Sequence, residues 1–300
     1  MKTDSVLDHN TNRIAVRQRK SNPDIQELIS RYELAKRAEG KSPRTIKGYR
    51  ELLLSFCRYI QERTGSTSVS SFAIDIVRGY IIYLQTRPKF QGHPFTSARG
   101  EGLSVESVRD HVRTLKTFST WLHIEGYTRE KRLANLKLPK PEEIIIEPLA
   151  EDEVITVLDS IDQKTRVGQR NHVIVFLMLD TGLRVGEVTG AELMNFKPAD
   201  GYLKVKGKGK KERIVPVGAE AQTLVSSYIT YVRSKMTKSD CTRLFVSEDG
   251  GPISENAIKL FFSRQKKKSG ITRLHAHLCR HTFAINYLLL DLKEVFQSGR

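Results

Sequence analysis

The sequence predicts a mainly α-helical protein of two domains, the first all-helical and the second α+β, mostly helical with a small antiparallel sheet. Three observations carry this reading. Over residues 22–126, apolar residues recur at three- and four-residue spacing behind Ser and Pro helix starts, with no strand-like alternation. A stretch holding Pro139, Pro141 and Pro148 then breaks the pattern. Beyond it, the clearest alternation, residues 202–206 and 212–217, flanks the lysine-rich tip Gly207-Lys208-Gly209-Lys210-Lys211.

Residues 1–21 are polar and partly basic, a flexible arm rather than a signal peptide. Asn22-Pro23 then starts a helix whose stripe is Ile25, Leu28, Ile29, Tyr32 and Ala35, closed by Gly40. Ser42 caps a second helix with Pro43 in its first turn; Ile46, Tyr49, Leu53, Phe56 and Ile60 share a face, and Gly65 ends it. A third covers residues 74–84 with Ile74, Val77, Ile81 and Leu84 inward, and a Gly/Pro/Ser-rich loop fills 87–102. Ser104 caps a fourth, which turns Val105, Val108, Val112, Leu115, Phe118 and Leu122 inward. The expected division is an arm to residue 21, a helical domain over 22–126, a linker over 127–148 and a second domain over 149–300. That second domain reads as a helix over 151–161, a buried helix near 173–179 and a helical segment over 184–193. After the hairpin come a helix over 219–236, a short strand at 244–246, and a helix capped by Ser254 that ends in the basic run 264–268.

Lysine and arginine number 50 against 34 acidic residues, a net charge of +16, and an ordered chain with that surplus meets a polyanion. At 39% hydrophobic residues it is too apolar for a disordered basic tail. The longest apolar run, 173–179, is far too short for a membrane span. Cys57, Cys241 and Cys279 are scattered and odd in number, which points to a reducing, cytoplasmic compartment. Arg44, Lys47 and Arg50 on the second helix, and Arg109, Arg113 and Lys116 on the fourth, form basic faces with few acids interleaved. They suit duplex phosphates, or simply keep the domain in solution.

The richest chemistry lies in His275-Ala276-His277-Leu278-Cys279-Arg280-His281. On a helix, His277, Arg280 and His281 share one face. A guanidinium fork beside a titratable imidazole suits a phosphate. The same residues fit a basic surface helix, and the histidine spacing also resembles a zinc ligand set.

Thr181-Gly182-Leu183-Arg184-Val185-Gly186-Glu187, the Gly207-to-Arg213 tip and His277-Leu278-Cys279-Arg280 follow in order, behind a Ser42-Pro43-Arg44-Thr45 helix start. This ordered set resembles the tyrosine recombinases, the phage-integrase and Xer-like site-specific recombinases, over residues 22–290. The resemblance implies a SAM-like core-binding domain followed by a recombinase catalytic domain, closing on double-stranded DNA as a clamp and assembling with other recombinase protomers. It implies that Arg184 and Arg280 clamp the scissile phosphate and that Glu187 orients Arg184. Lys208 would protonate the leaving 5′-hydroxyl and His277 assist proton transfer, with Lys206, Lys210 and Lys211 on the DNA backbone. No metal, nucleotide or other cofactor is called for.

The family's nucleophilic tyrosine lies some thirty residues past H-x-x-R, and the chain ends at Arg300. The expectation is therefore a C-terminally truncated recombinase unable to cleave, with a non-catalytic protein that occupies recombination sites as the competing reading and a basic RNA-binding protein behind it. Tyr287 stands seven residues past Arg280, about 10 Å along a helix, too far to attack the phosphate Arg280 holds. It is expected in the core.

Overall fold

The structure is a computed structural model that describes residues 22–89, 96–98, 100, 102–141, 143, 145–207, 209, 211–238 and 240–298, with side chains as far as residue 289. The chain divides into two compact units, residues 1–144 and 145–300.

In the first unit, α1 (Ile25–Ala38), α2 (Pro43–Thr64), α3 (Ile74–Thr86) and α4 (Val105–Ile124) bury their apolar stripes against one another. Ser42 and Ser104 cap α2 and α4 as expected, each hydroxyl accepting from the amide three residues on. The first helix differs. Its cap is Asp24, whose carboxylate accepts from the Gln26 amide, while Asn22 instead pairs with Ser70. The core is aromatic: Tyr32 meets Phe118 and Trp121 edge-on at 5.3 Å, and Phe56 meets Tyr80 at 5.0 Å. Much of the expected linker belongs here too. Leu133 and Leu136 are buried in this core, and Arg132 donates to the Val69 and Phe72 carbonyls. Prolines at 139 and 141 say nothing about the apolar residues just before them, and those residues decide where the segment lies.

A buried Tyr80–His111 pair gives this unit a pH dependence. The Tyr80 hydroxyl lies 3.0 Å from His111 Nδ1 and donates to Ser55. Burial, with Arg87 nearby, lowers the His111 pKa to about 4. The unfolded chain then binds a proton that the folded one refuses between pH 6.5 and 4, so stability falls as pH falls through that window. The loss should approach 3 kcal/mol, at about 1.36 kcal/mol per unit. Urea unfolding followed by the single tryptophan, Trp121, checks it. His111→Leu should flatten the drop between pH 7 and 5, and an undiminished drop would exclude His111 as its source.

The second unit packs α5 (Glu151–Asp159), α6 (Arg166–Thr181), α7 (Val185–Gly190), α8 (Ala219–Ser227), α9 (Glu255–Ser269) and α10 (Ala276–Ser298) around a three-stranded sheet. The strands β1 (Phe196–Lys197), β2 (Tyr202–Lys206) and β3 (Glu212–Pro216) are antiparallel in the order β1-β2-β3. The hairpin pairs Lys206 with Glu212 and Val205 with Arg213. The two-residue β1 has no alternation to betray it.

Two elements depart from expectation. The helix expected over 219–236 changes type, to a π turn at Tyr228–Val232 and a 3₁₀ turn at Arg233–Lys235. The wider turn puts Tyr228, Val232 and Arg233, all buried, on one side. Arg233 there donates to the Cys241 and Arg243 carbonyls. Residues 244–246 form no strand, only isolated bridges at their flanks. Leu244, Phe245 and Val246 are all buried, and scattered partners rather than one neighbouring strand satisfy this backbone: the Leu244 amide donates to the Ala191 carbonyl at 2.8 Å and Arg170 donates to the Val246 carbonyl at 2.8 Å.

Candidate active site

The site begins where α6 stops. Gly182 closes that helix at φ +64°, a conformation costly for any residue with a Cβ, and its carbonyl accepts from Arg280 on α10. A Cβ at Gly182 would lie 2.4 Å from the Phe283 ring, so α10 can pack this close to the helix end only because residue 182 is glycine. Leu183 is fully buried and pins the turn, and Arg184 follows at the start of α7 with a half-exposed side chain.

Glu187, one turn on, is only 3% exposed. Its carboxylate accepts from the Arg184 amide at 2.9 Å and the Arg184 guanidinium at 3.3 Å. It accepts two more bonds from Arg213 on β3, from Nε at 3.3 Å and Nη2 at 3.0 Å. Burial raises its pKa, but these donors outweigh that and hold it below the usual carboxylate range. Glu187 therefore does more than make a pair along its own helix.

On α10, burial and repulsion from Arg184 and Arg213 lower the Arg280 pKa, with Glu187 opposing. His277 is lowered too, first by partial burial and then by His275, Arg280, Arg184 and His281, which favours a neutral imidazole. Three guanidinium groups against one carboxylate leave about two positive charges, and Arg184 and His277 are open to solvent. Such a surplus of guanidinium charge suits an anion. His275 and His281 turn away from it: His275 Nδ1 lies 2.7 Å from the Arg273 carbonyl and His281 Nε2 2.6 Å from that of Ile146. Among the described residues no group of three His, Cys, Asp or Glu side chains could hold a metal.

The hairpin closes through the Gly207 amide, which donates to the Lys211 carbonyl at 2.8 Å. Lys206 is exposed beside Glu212 at 3.7 Å, and Lys211 is exposed. Lys208 and Lys210 lie outside the described residues.

The basic faces of the first unit are less free of acid than their sequence suggested. Arg113 pairs with Glu106 at 3.0 Å and Asp110 at 2.8 Å, Arg50 with Glu33 at 3.3 Å, and Lys47 lies 3.9 Å from Glu51. Arg109 is largely covered, pairs with Glu106 and donates to the Pro139 carbonyl. The Lys116 ammonium donates to the Ala134 and Leu136 carbonyls. Arg109 and Lys116 thus hold the segment after α4 in place, and Arg44 stays exposed.

Tyr287 is a second correction. It is 61% exposed and tilts against Phe283, with Leu288 and Leu289 exposed beside it, because the buried residues of α10 lie in its first two turns and residues 286–289 are exposed all round the helix. The residue that sequence reasoning missed is Arg213. Its parity on β3 matches the buried Val215, and a cation on the inward parity of a strand calls for a buried acid.

Residues 147–291 match the phage integrase family. The second unit is a phage integrase domain. Most of the chain is homologous to tyrosine recombinases: it is 29% identical over 251 residues to tyrosine recombinase XerC of Oceanobacillus iheyensis, covering 82% of this chain and 77% of that one. It is 29% identical over 266 residues to tyrosine recombinase XerD of Staphylococcus haemolyticus, covering 88% and 84%. The fold is that of a lambda integrase solved as a tetramer bound to a Holliday junction, with TM-score 0.66, 16% identity and coverage of 93% of this chain and 77% of that one. No helix among the described residues is long and apolar enough to cross a membrane.

Proposed function

We propose that this chain is a site-specific DNA recombinase whose phosphate clamp is Arg184 and Arg280, with Glu187 orienting Arg184 and His277 relaying a proton. The observation that carries this is that Arg280 bonds the Gly182 carbonyl, two residues before Arg184 and 98 positions back along the chain, in a cationic cluster whose one carboxylate is already held by Arg184 and Arg213. Two fixed guanidinium groups suit the non-bridging oxygens of a phosphodiester, where charge accumulates in the transition state. Lys208, between β2 and β3 in sequence, is the proposed general acid for the leaving 5′-hydroxyl. The first unit adds backbone contacts through Arg44, Lys47, Arg50 and Arg113, and the integrase domain adds Lys206, Lys210 and Lys211, so that both units grip one duplex and further protomers assemble on it.

On this reading no tyrosine among the described residues of α10 stands beside the clamp. Tyr287 lies two helical turns beyond Arg280, about 10 Å along α10, and rigid helix geometry keeps it there. Strand cleavage then requires a tyrosine from outside these residues, on the same polypeptide or on a neighbouring recombinase.

Binding is tested first. Log affinity for a selected inverted-repeat duplex should fall linearly with log salt, with a slope of about −0.9 per phosphate contact. Arg44→Ala with Lys47→Ala should reduce the slope by about two, whereas Arg109→Ala should leave it unchanged. Equal affinity for structured RNA and the selected duplex would sink the recombinase reading.

A further inference from the structure

The bonds to Glu187 divide unequally. Arg184 reaches Oε1 with a single nitrogen at 3.3 Å, from a side chain that is 56% exposed. Arg213 forks across both oxygens, Nε to Oε1 and Nη2 to Oε2. A bidentate contact fixes the carboxylate plane, and a single long contact does not. The Arg184 amide occupies the remaining direction on Oε2. A Cβ at Gly207 would lie 3.6 Å from Oε1, so the carboxylate sits under the base of the β2–β3 hairpin.

This arrangement has a consequence for Arg184. A carboxylate held by another fork can take only one bond from the Arg184 guanidinium, which leaves the other guanidinium nitrogens for an anion. Without Arg213, Glu187 would turn its full edge to Arg184, and the two would close into a neutral, bidentate pair. The cluster would lose one positive charge, and its first arginine would be occupied.

We propose that Arg213 is a positioning residue of this site: by holding Glu187 from the hairpin side, it keeps the Arg184 guanidinium available to the phosphate. The proposal rests on the reading of Arg184 and Arg280 as a phosphate clamp. It assigns Arg213 a role exercised through Glu187, onto which its Nε and Nη2 are turned.

The test uses the full 300-residue chain and inorganic phosphate as the probe, read by the NMR titration of the His277 ring, assigned with His277→Gln. Phosphate bound at Arg184 and Arg280 offsets the cations that depress His277, so it should raise the His277 midpoint in the wild-type protein. The phosphate affinity read from that shift should fall about fivefold to tenfold in Arg213→Ala, with the urea midpoint measured alongside to show that the variant is folded. Arg213→Lys, which keeps the charge but not the fork, should recover less than half of the loss, and it carries the test if the alanine variant does not fold. Undiminished phosphate affinity in a folded Arg213→Ala protein, or full recovery in Arg213→Lys, overturns the positioning role and leaves the clamp standing. No phosphate response in the wild type overturns the clamp, and the positioning role with it.

Discussion

Gly182→Ala is expected to destabilise the integrase domain by about 2–5 kcal/mol and to abolish phosphate binding at the same time. Two costs add. The left-handed conformation at φ +64° disfavours any L side chain, by about 1–2 kcal/mol, and forcing a methyl into packed space costs about 1–3 kcal/mol more. The methyl would stand 2.4 Å from Phe283 Cδ1, and Phe283 sits on the helix that carries Arg280. Relief comes from the Phe283 ring swinging aside or from α10 shifting off the end of α6, and a shift of α10 takes Arg280 from the Gly182 carbonyl. Phe283→Ala combined with Gly182→Ala should recover the clash but not the backbone strain, so the pair should be clearly non-additive. Urea unfolding of the four proteins measures this. A Gly182→Ala protein of wild-type stability would mean that α10 does not dock on this turn.

The second large effect is chemical. Incubated with a nicked duplex carrying its selected site, the 300-residue polypeptide should form no covalent protein–DNA adduct. Arg184, Arg280, His277 and Lys208 can bind and polarise a phosphodiester, but holding a nucleophile in line supplies a large share of the barrier reduction, on the order of 7–11 kcal/mol. The remaining groups cannot replace that. Tyr287 is exposed and seven residues past Arg280, about 10 Å along the helix, which leaves it off the phosphate that Arg280 would hold. Adding a recombinase that supplies a tyrosine to its neighbour should restore the adduct, and Arg280→Ala in this chain should then abolish it again. An adduct from the pure polypeptide that survives denaturant and vanishes with Tyr287→Phe would make Tyr287 the nucleophile.

The sequence by itself determined most of the helical segments and the order of the basic motifs. Apolar spacing set the stripes of α2 and α4, because a helix must bury one face and Ser42 and Ser104 fit its open amides. Local turn chemistry likewise set the hairpin, and the order of three short motifs was enough to resemble the phage-integrase site. Only the tertiary structure decided how charges pair. Arg113 and Lys116 look alike along α4, yet one meets two carboxylates and the other caps carbonyls twenty residues away. Tyr287 looks like core, yet residues 286–289 of α10 are exposed all round the helix. Arg213 looks like one more basic strand residue, yet it holds the carboxylate beside Arg184 from 26 positions further along the chain. Helical periodicity and turn preference are properties of neighbouring residues, so they are legible in order along the chain. Ion pairing and burial depend on which distant segment arrives opposite, and that is set by packing a whole domain at once.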